Sequence, residues 1–314
     1  MGSAPRFCSP SSGVRRKRPP RRRRADATRT VFPEAASDSV ASVPPSISEE
    51  PEARLEALHS VLDLLDLEEL DRDLYRGTLV FDDPYPLYGG QVAAQALRAA
   101  GGTVPEGRLP HSLHGYFLRG GDAARPTIFR VDRDRDGRSF SARRVVAIQG
   151  GEVIFNMSVS FHRPADDVDR QVHPAPETPD PEKLPASPVP RLFSMESRLP
   201  PQPYEAADFP TRMWSRCTAP LPDDDLLHAC VLTYLSDISS GIIALHDGPA
   251  RSGSSLDHAV WFHRPVRMDD WVLMDLVPQT VAAGRGWYTG TIHTRDGVLA
   301  ASLTQETLFR TPRA

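Results

Sequence analysis

Several features that often point to a function are missing from this 314-residue chain. It holds three cysteines, Cys8, Cys217 and Cys230, with no Cys-x-x-Cys spacing. So sparse and odd a set argues against a disulfide framework or a zinc site, and it fits a reducing cytoplasm. No apolar run approaches the roughly 18 residues that a membrane span needs. There is no Gly-x-Ser-x-Gly elbow, so an α/β-hydrolase with a serine nucleophile is not expected. The stretch GRGWYTG (284–290) lacks Gly-x-Gly-x-x-Gly spacing and leads into a strand pattern, so it is no dinucleotide fingerprint. DRDRDG (132–137) opens like a calcium loop, but its twelfth position is Arg143 where a glutamate is required. The expectation is a protein with no metal and no organic cofactor.

Charge is present but unevenly placed. The formal net charge is -4, yet residues 1–30 hold ten Lys or Arg and one acid, leaving 27 basic against 40 acidic residues in the remainder. An acidic body is not built to grip nucleic acid. Residues 1–50 are rich in Arg, Pro and Ser and read as a disordered basic tail. That start has no apolar segment of a signal peptide, and its prolines deny it an amphipathic transit helix. A nucleic-acid or anionic-membrane tether is the competing reading of the tail. The end, Thr311–Ala314, lacks a Ser-Lys-Leu address.

With 39% hydrophobic residues, the rest can build a core. In 51–70, Leu55, Leu58, Val61, Leu62, Leu65 and Leu67 recur at helical spacing behind Pro51, predicting an amphipathic helix. YRGTLVF (75–81) is a strand candidate. YGGQVAAQALRAAGG (88–102) reads as a helix buried on most sides. Then period-two segments follow, HSLHGYFL, TIFRVDRD, SFSARRVVAIQ and EVIFNMSVSFH, separated by Gly or Pro turns. Residues 164–190 are crowded with Pro, Asp and Glu and read as a linker. The pattern then restarts: strand TRMWSRCT, helix PDDDLLHACVLTYLSD, and strands AVWFHRP, WVLMDLVPQTVA, GWYTGTIHT and VLAASLTQETLFR.

The two blocks can be superposed. His114-x-x-Phe117-x-Arg119 meets His258-x-x-x-Phe262-x-Arg264, Gly137-Arg138-x-Phe140 meets Gly284-Arg285-x-Trp287, and Gly151 meets Gly297. A repeat of about 110 residues implies two copies of one unit, 51–163 and 191–312, whose sheets pair edge to edge. The copies then differ informatively. Gln305 stands eight residues after Gly297, where the first copy has Val159. The second helix ends in Ser236-Asp237, the first in Ala-Ala-Gly-Gly. A polar group where its twin buries an apolar one needs a partner or a task, so chemistry is expected in the second half.

HSLHGYFLRGGD, DGRSFSARRVVAIQ, LYGGQVAAQAL, YLSD, LDHAVWFHRP and RDGVLAAS-x-x-QE, all lying between about 53 and 311, resemble the acyl-CoA thioesterase II family. The resemblance implies an α+β double hotdog, two long helices each wrapped by an antiparallel sheet. It also implies hydrolysis of acyl-CoA to free acid and CoA, within fatty-acid metabolism and in a homo-oligomer. By the same resemblance Asp237, a hydroxyl at Ser255 and Gln305 orient the attacking water. The family has threonine where this chain has Ser255; serine keeps the hydroxyl but loses the methyl that stiffens its rotamer. Ser254 is the alternative if the register slips by one.

These residue types suit the reaction. A carboxylate accepts the proton of the attacking water, while a hydroxyl and an amide fix its orientation. The leaving thiolate, with a parent pKa of about 8.5 by analogy with cysteine, departs without a strong acid. Backbone N–H groups at Tyr88, Gly89 and Gly90 are candidates for the oxyanion. His111 and His114, three apart on a strand, should face opposite ways, with His114 a candidate water or substrate contact facing His258. Arg119, Arg138, Arg143 and Arg144 are candidates for CoA phosphates. A hotdog hydratase and a non-catalytic acyl-CoA-binding protein remain as alternatives.

Overall fold

The computed structural model describes residues 59–187, 191–204, 210–238 and 251–310, without the side chains of 251–253. They belong to one unit, Ser48–Ala314. The basic tail and the front of the first predicted helix lie outside the described residues.

What remains of that helix is one turn and a half, α1 (Val61–Leu65). Ser60 caps it, accepting from the Asp63 amide while Asp63 accepts from the Ser60 amide. The expected continuation is instead strand β1 (Leu67–Asp71), antiparallel to β2 (Leu74–Gly77). The helix stops at Asp66, and Asp73 (φ 60°) makes the hairpin turn, a conformation aspartate tolerates. The leucine spacing suited both structures; the turn decided.

Helix α2 (Gly89–Gly101) is followed by β3 (Leu109–Phe117), β4 (Thr127–Asp136), β5 (Phe140–Gln149) and β6 (Glu152–His162). The second half contains β7 (Ala186–Ser187), β8 (Met195–Arg198), β9 (Arg212–Cys217) and helix α3 (Asp225–Ser236). After these come β10 (Arg251–Ser255), β11 (Asp257–Phe262), β12 (Val272–Ala282), β13 (Arg285–Thr294) and β14 (Leu299–Arg310). One antiparallel sheet runs β1-β2-β4-β5-β6-β3-β11-β14-β13-β12-β9-β8-β7, with β10 added against β14. The halves join where β3 pairs β11, so neither central edge is left open. The twin turns at Gly151 (φ 84°) and Gly297 (φ 86°) both need the left-handed region.

The Pro-rich stretch 164–190 is tied to the second half. Asp180 caps a single turn at Pro181–Lys183, Trp271 Nε1 donates to Glu182 at 2.8 Å, and Gln171 donates to Gly297 O at 3.0 Å.

Both long helices lie in the core. Val92, Ala93, Ala94, Ala96, Leu97 and Ala100 are buried, so α2 hides nearly its whole surface, as its small residues allow. The helices pack against each other. Arg98 near the end of α2 pairs with Asp224 at the start of α3, at 3.3 Å. At the other end a Cβ on Gly90 would strike the Tyr234 carbonyl, so only glycine lets the backbones meet there. The helices are therefore antiparallel, and the end of α3 abuts the start of α2.

Candidate active site

That abutment sets Asp237 in place. It is the cap residue ending α3, and it is 8% exposed. A Gly90 backbone N–H donates to its carboxylate, so the anion sits at the positive end of α2. Gly89 lies against it, and a Cβ there would collide with Asp237 Oδ2. Burial raises the Asp237 pKa above its ordinary value, while His258, Gln305, Ser255 and the Gly90 amide pull the other way.

The other two expected residues arrive from the sheet. Gln305 Nε2, on β14, donates to Asp237 Oδ1 at 2.7 Å and to Ser255 Oγ at 2.5 Å. Ser255 Oγ, at the end of β10, donates to Asp237 Oδ1 at 3.1 Å. Ser254 is exposed, so Ser255 carries the hydroxyl of this cluster. Asp237, Ser255 and Gln305 thus close a triangle although 68 residues separate the first from the last.

The Tyr88-Gly89-Gly90 turn is present beside them but differently engaged. The Tyr88 hydroxyl donates to Tyr234 O at 2.7 Å, and the Gly90 amide serves Asp237. The Gly89 amide stands among the first-turn donors of α2, which have no partner within the helix.

His114 does not join the cluster. It is exposed on the far side of the sheet, edge-on to Trp261 with centroids 5.0 Å apart. The expectation that it faces His258 fails because Ala259 is its partner, while His258 lies across from Gly115. A bulge between Pro110 and Ser112 also turns His111 outward, against Ser160 and His162, so the two histidines share a face. Of the arginines, Arg143 is fully buried and bonded to Thr103 and Asp136, Arg119 pairs with Glu152, and Arg144 pairs with Asp132 and Asp134.

The sheet register gives the true twins. In the first half, Leu113, Val159 and Arg143 form a row across three strands. In the second, Tyr288 faces Gln305, and Ala259 opposite Thr304 brings His258 beside Gln305. Leu113–Val159–Arg143 therefore corresponds to His258–Gln305–Tyr288. Buried His258 and Tyr288 were not among the expected site residues. A superposition shifted by one residue, Leu113 on His258, would have exposed the histidine, and one shifted by two, Arg143 on Tyr288, the tyrosine. Among the described residues no group of His, Cys, Asp or Glu could hold a metal, and no helix is long and apolar enough to cross a membrane.

Two helices clasped by one continuous sheet, with Asp237, Ser255 and Gln305 bonded together where they meet, make the chain a double hotdog, and its relatives make it a thioester hydrolase. The known proteins agree. A family model described as acyl-CoA thioesterase N-terminal domain matches residues 82–162, and one described as acyl-CoA thioesterase C-terminal domain matches 169–309. The chain is 34% identical to acyl-CoA thioesterase 2 of Haemophilus influenzae over 282 residues, covering 81% of this chain and 98% of that one. An acyl-CoA thioesterase II from Mycobacterium marinum superposes with a TM-score of 0.70 at 40% identity, covering 81% of this chain and 99% of that one. A hot dog fold protein of Alicyclobacillus acidocaldarius shares the fold, with a TM-score of 0.68 at 23% identity over 81% of this chain and 99% of that one. The chain belongs to the acyl-CoA thioesterase II family.

Proposed function

We propose that the protein hydrolyses acyl-CoA to free acid and CoA by direct attack of a water oriented by Asp237, Ser255 and Gln305. One observation carries this reading: the three side chains bond one another on a buried carboxylate at the start of α2. Acyl-CoA as substrate class is taken from the names of the relatives.

The donors and acceptors balance. Ser255 accepts from Gln305 and donates to Asp237, leaving one lone pair on its oxygen. The carboxylate keeps further lone pairs. A water donates one proton to Asp237 and the other to Ser255, and its own lone pair is then free for the thioester carbon. As the C–O bond forms, its proton passes to Asp237, whose raised pKa makes it a stronger base than an ordinary aspartate. The Gly89 amide, at the positive end of α2, receives the developing oxyanion. Collapse breaks the C–S bond, and the proton leaves Asp237 for the thiolate. A hydratase needs a catalytic acid or histidine on a central helix; α2 has none and α3 offers His228 with Asp223–Asp225 only near its start, which supports hydrolysis over hydration.

Thiol release from an acyl-CoA tests the assignment. Asp237→Ala and Gln305→Ala should each nearly abolish it while the fold melts cooperatively as before. Turnover at the wild-type rate in both would sink the assignment. We propose a cytoplasmic homo-oligomer as the working form; a monomeric mass in solution would count against it.

A further inference from the structure

Gln305 carries an unexplained atom. Its nitrogen is committed to Asp237 and Ser255, so its oxygen points away from them. That Oε1 is buried and has no hydrogen-bond partner. Beside it on β11, His258 is 1% exposed and its Nδ1 also lacks a partner. Its Nε2 is held 2.7 Å from Ser236 Oγ, on the last turn of α3. Two unpaired buried polar atoms on neighbouring residues are costly unless they serve each other.

The twin half shows that the two residues come as a set. Leu113 lies opposite Val159, an apolar pair in the places of His258 and Gln305. A lone polar replacement would have left an orphan, whereas the joint replacement supplies a donor with its acceptor. The imidazole is also near enough for the Gln305 side chain to raise its pKa against the lowering by burial.

We propose that His258 is a positioning residue for the hydrolytic site, with its proton on Nδ1 and directed at Gln305 Oε1. The chain of donors then runs from the Ser236 hydroxyl to His258 Nε2, from His258 Nδ1–H to Gln305 Oε1, and from Gln305 Nε2 to Asp237 and Ser255. Every group in it is neutral except the carboxylate. To serve, Ser236 turns its hydroxyl from Thr233 O, 2.9 Å away, to the imidazole. The alternative, with the proton on Nε2, leaves two acceptors facing each other and favours a flipped amide that would present its oxygen to Asp237. His258 thereby fixes which end of the Gln305 amide meets the water-binding groups.

This proposal rests on the role given to Gln305 above, and its test separates the two. Long-range 1H–15N spectroscopy of the whole chain reads the His258 tautomer without any turnover. A proton on Nδ1 is expected; a neutral ring carrying its proton only on Nε2 would overturn the proposal, whatever Gln305 does. Activity gives the second arm. His258→Leu, the residue of the twin row, should lower kcat about 10- to 100-fold with KM little changed, as expected for a buried amide deprived of its donor. His258→Asn places an N–H where Nδ1 was and should restore most of the loss. Equal loss in Leu and Asn variants that both melt cooperatively would overturn the proposal. In a Gln305→Ala background, His258→Leu should cost nothing further, because its effect passes through that amide. A further tenfold loss there would contradict it.

Discussion

Gly89→Ala is the sharpest structural perturbation of the site, because it adds one methyl against the carboxylate. An ideal Cβ at Gly89 would lie 2.8 Å from the Phe117 ring and collide with Asp237 Oδ2. Carbon contacts settle at about 3.5 Å, so something must move by about 1 Å. The backbone of α2 is pinned there by its contact with Tyr234, and Phe117 is packed on Phe155 with centroids 4.9 Å apart. The carboxylate is the part that gives. A displacement of that size at a reacting group costs about 100-fold in rate, or about 2.7 kcal/mol of transition-state stabilisation. Stability should respond less: overpacking costs about 1–3 kcal/mol, offset in part by about 0.5–1 kcal/mol from the stiffer residue in a helix. Thiol release from a saturating acyl-CoA, with a thermal melt of the same samples, separates the two effects. The expected result is kcat lowered about 100-fold in a protein that still melts cooperatively. More than a third of wild-type kcat would refute the reasoning, since Asp237 would then tolerate the displacement or have no part in the rate.

Three further outcomes follow from the same site. Burial keeps folded Asp237 above its unfolded pKa of about 3.9, so its contribution favours folding below that value and is lost as pH rises through the folded pKa. Asp237→Asn should therefore be inactive yet melt higher than wild type at pH 7, with the gap closing toward pH 4; a lower melt at pH 7 would contradict this. For the wild type, kcat/KM should fall on the acid side with an apparent pKa above about 3.9, checked by a pH profile. Ser255→Ala should lose about 10-fold, as for one hydrogen bond to a charged group, whereas Ser255→Thr should match or exceed wild type because its χ1 is stiffer. Initial rates of thiol release check both, and an inactive Ser255→Thr would contradict the role of that hydroxyl.

The helices and most strands were legible in the sequence because each carries its own period. Helix α2 is a fair example: Gly89 and Gly101 bound it where the small-residue run begins and ends. The strand β1 was not legible, since Leu67 continued the helical spacing and only Asp66 and Asp73 mark the change. Short strands β8 and β10 lack a clear alternation. Asp237, Ser255 and Gln305 were legible only jointly, through the family pattern, because each alone is an ordinary turn or strand residue. The pairing of His258 with Gln305 was hidden by a one-residue error of register: His114 was matched to His258 by residue type, although three residues lead from His114 to Phe117 and four from His258 to Phe262, so that Phe117 on Phe262 puts Leu113 on His258. The engagement of the Gly90 amide by Asp237 was beyond reach as well: it depends on how two helices cross, and local sequence does not encode that.

In the proposed mechanism water attacks the thioester directly, with Asp237 acting as base and never bonding to the acyl group. A single turnover of acyl-CoA in 18O-labelled water, followed by mass analysis of the released acid and of the peptide containing Asp237, tests it most directly. Direct attack puts one labelled oxygen in the acid and none in Asp237, with thiol and acid appearing together. Label in the Asp237 carboxylate, or a burst of thiol ahead of the acid, would contradict it.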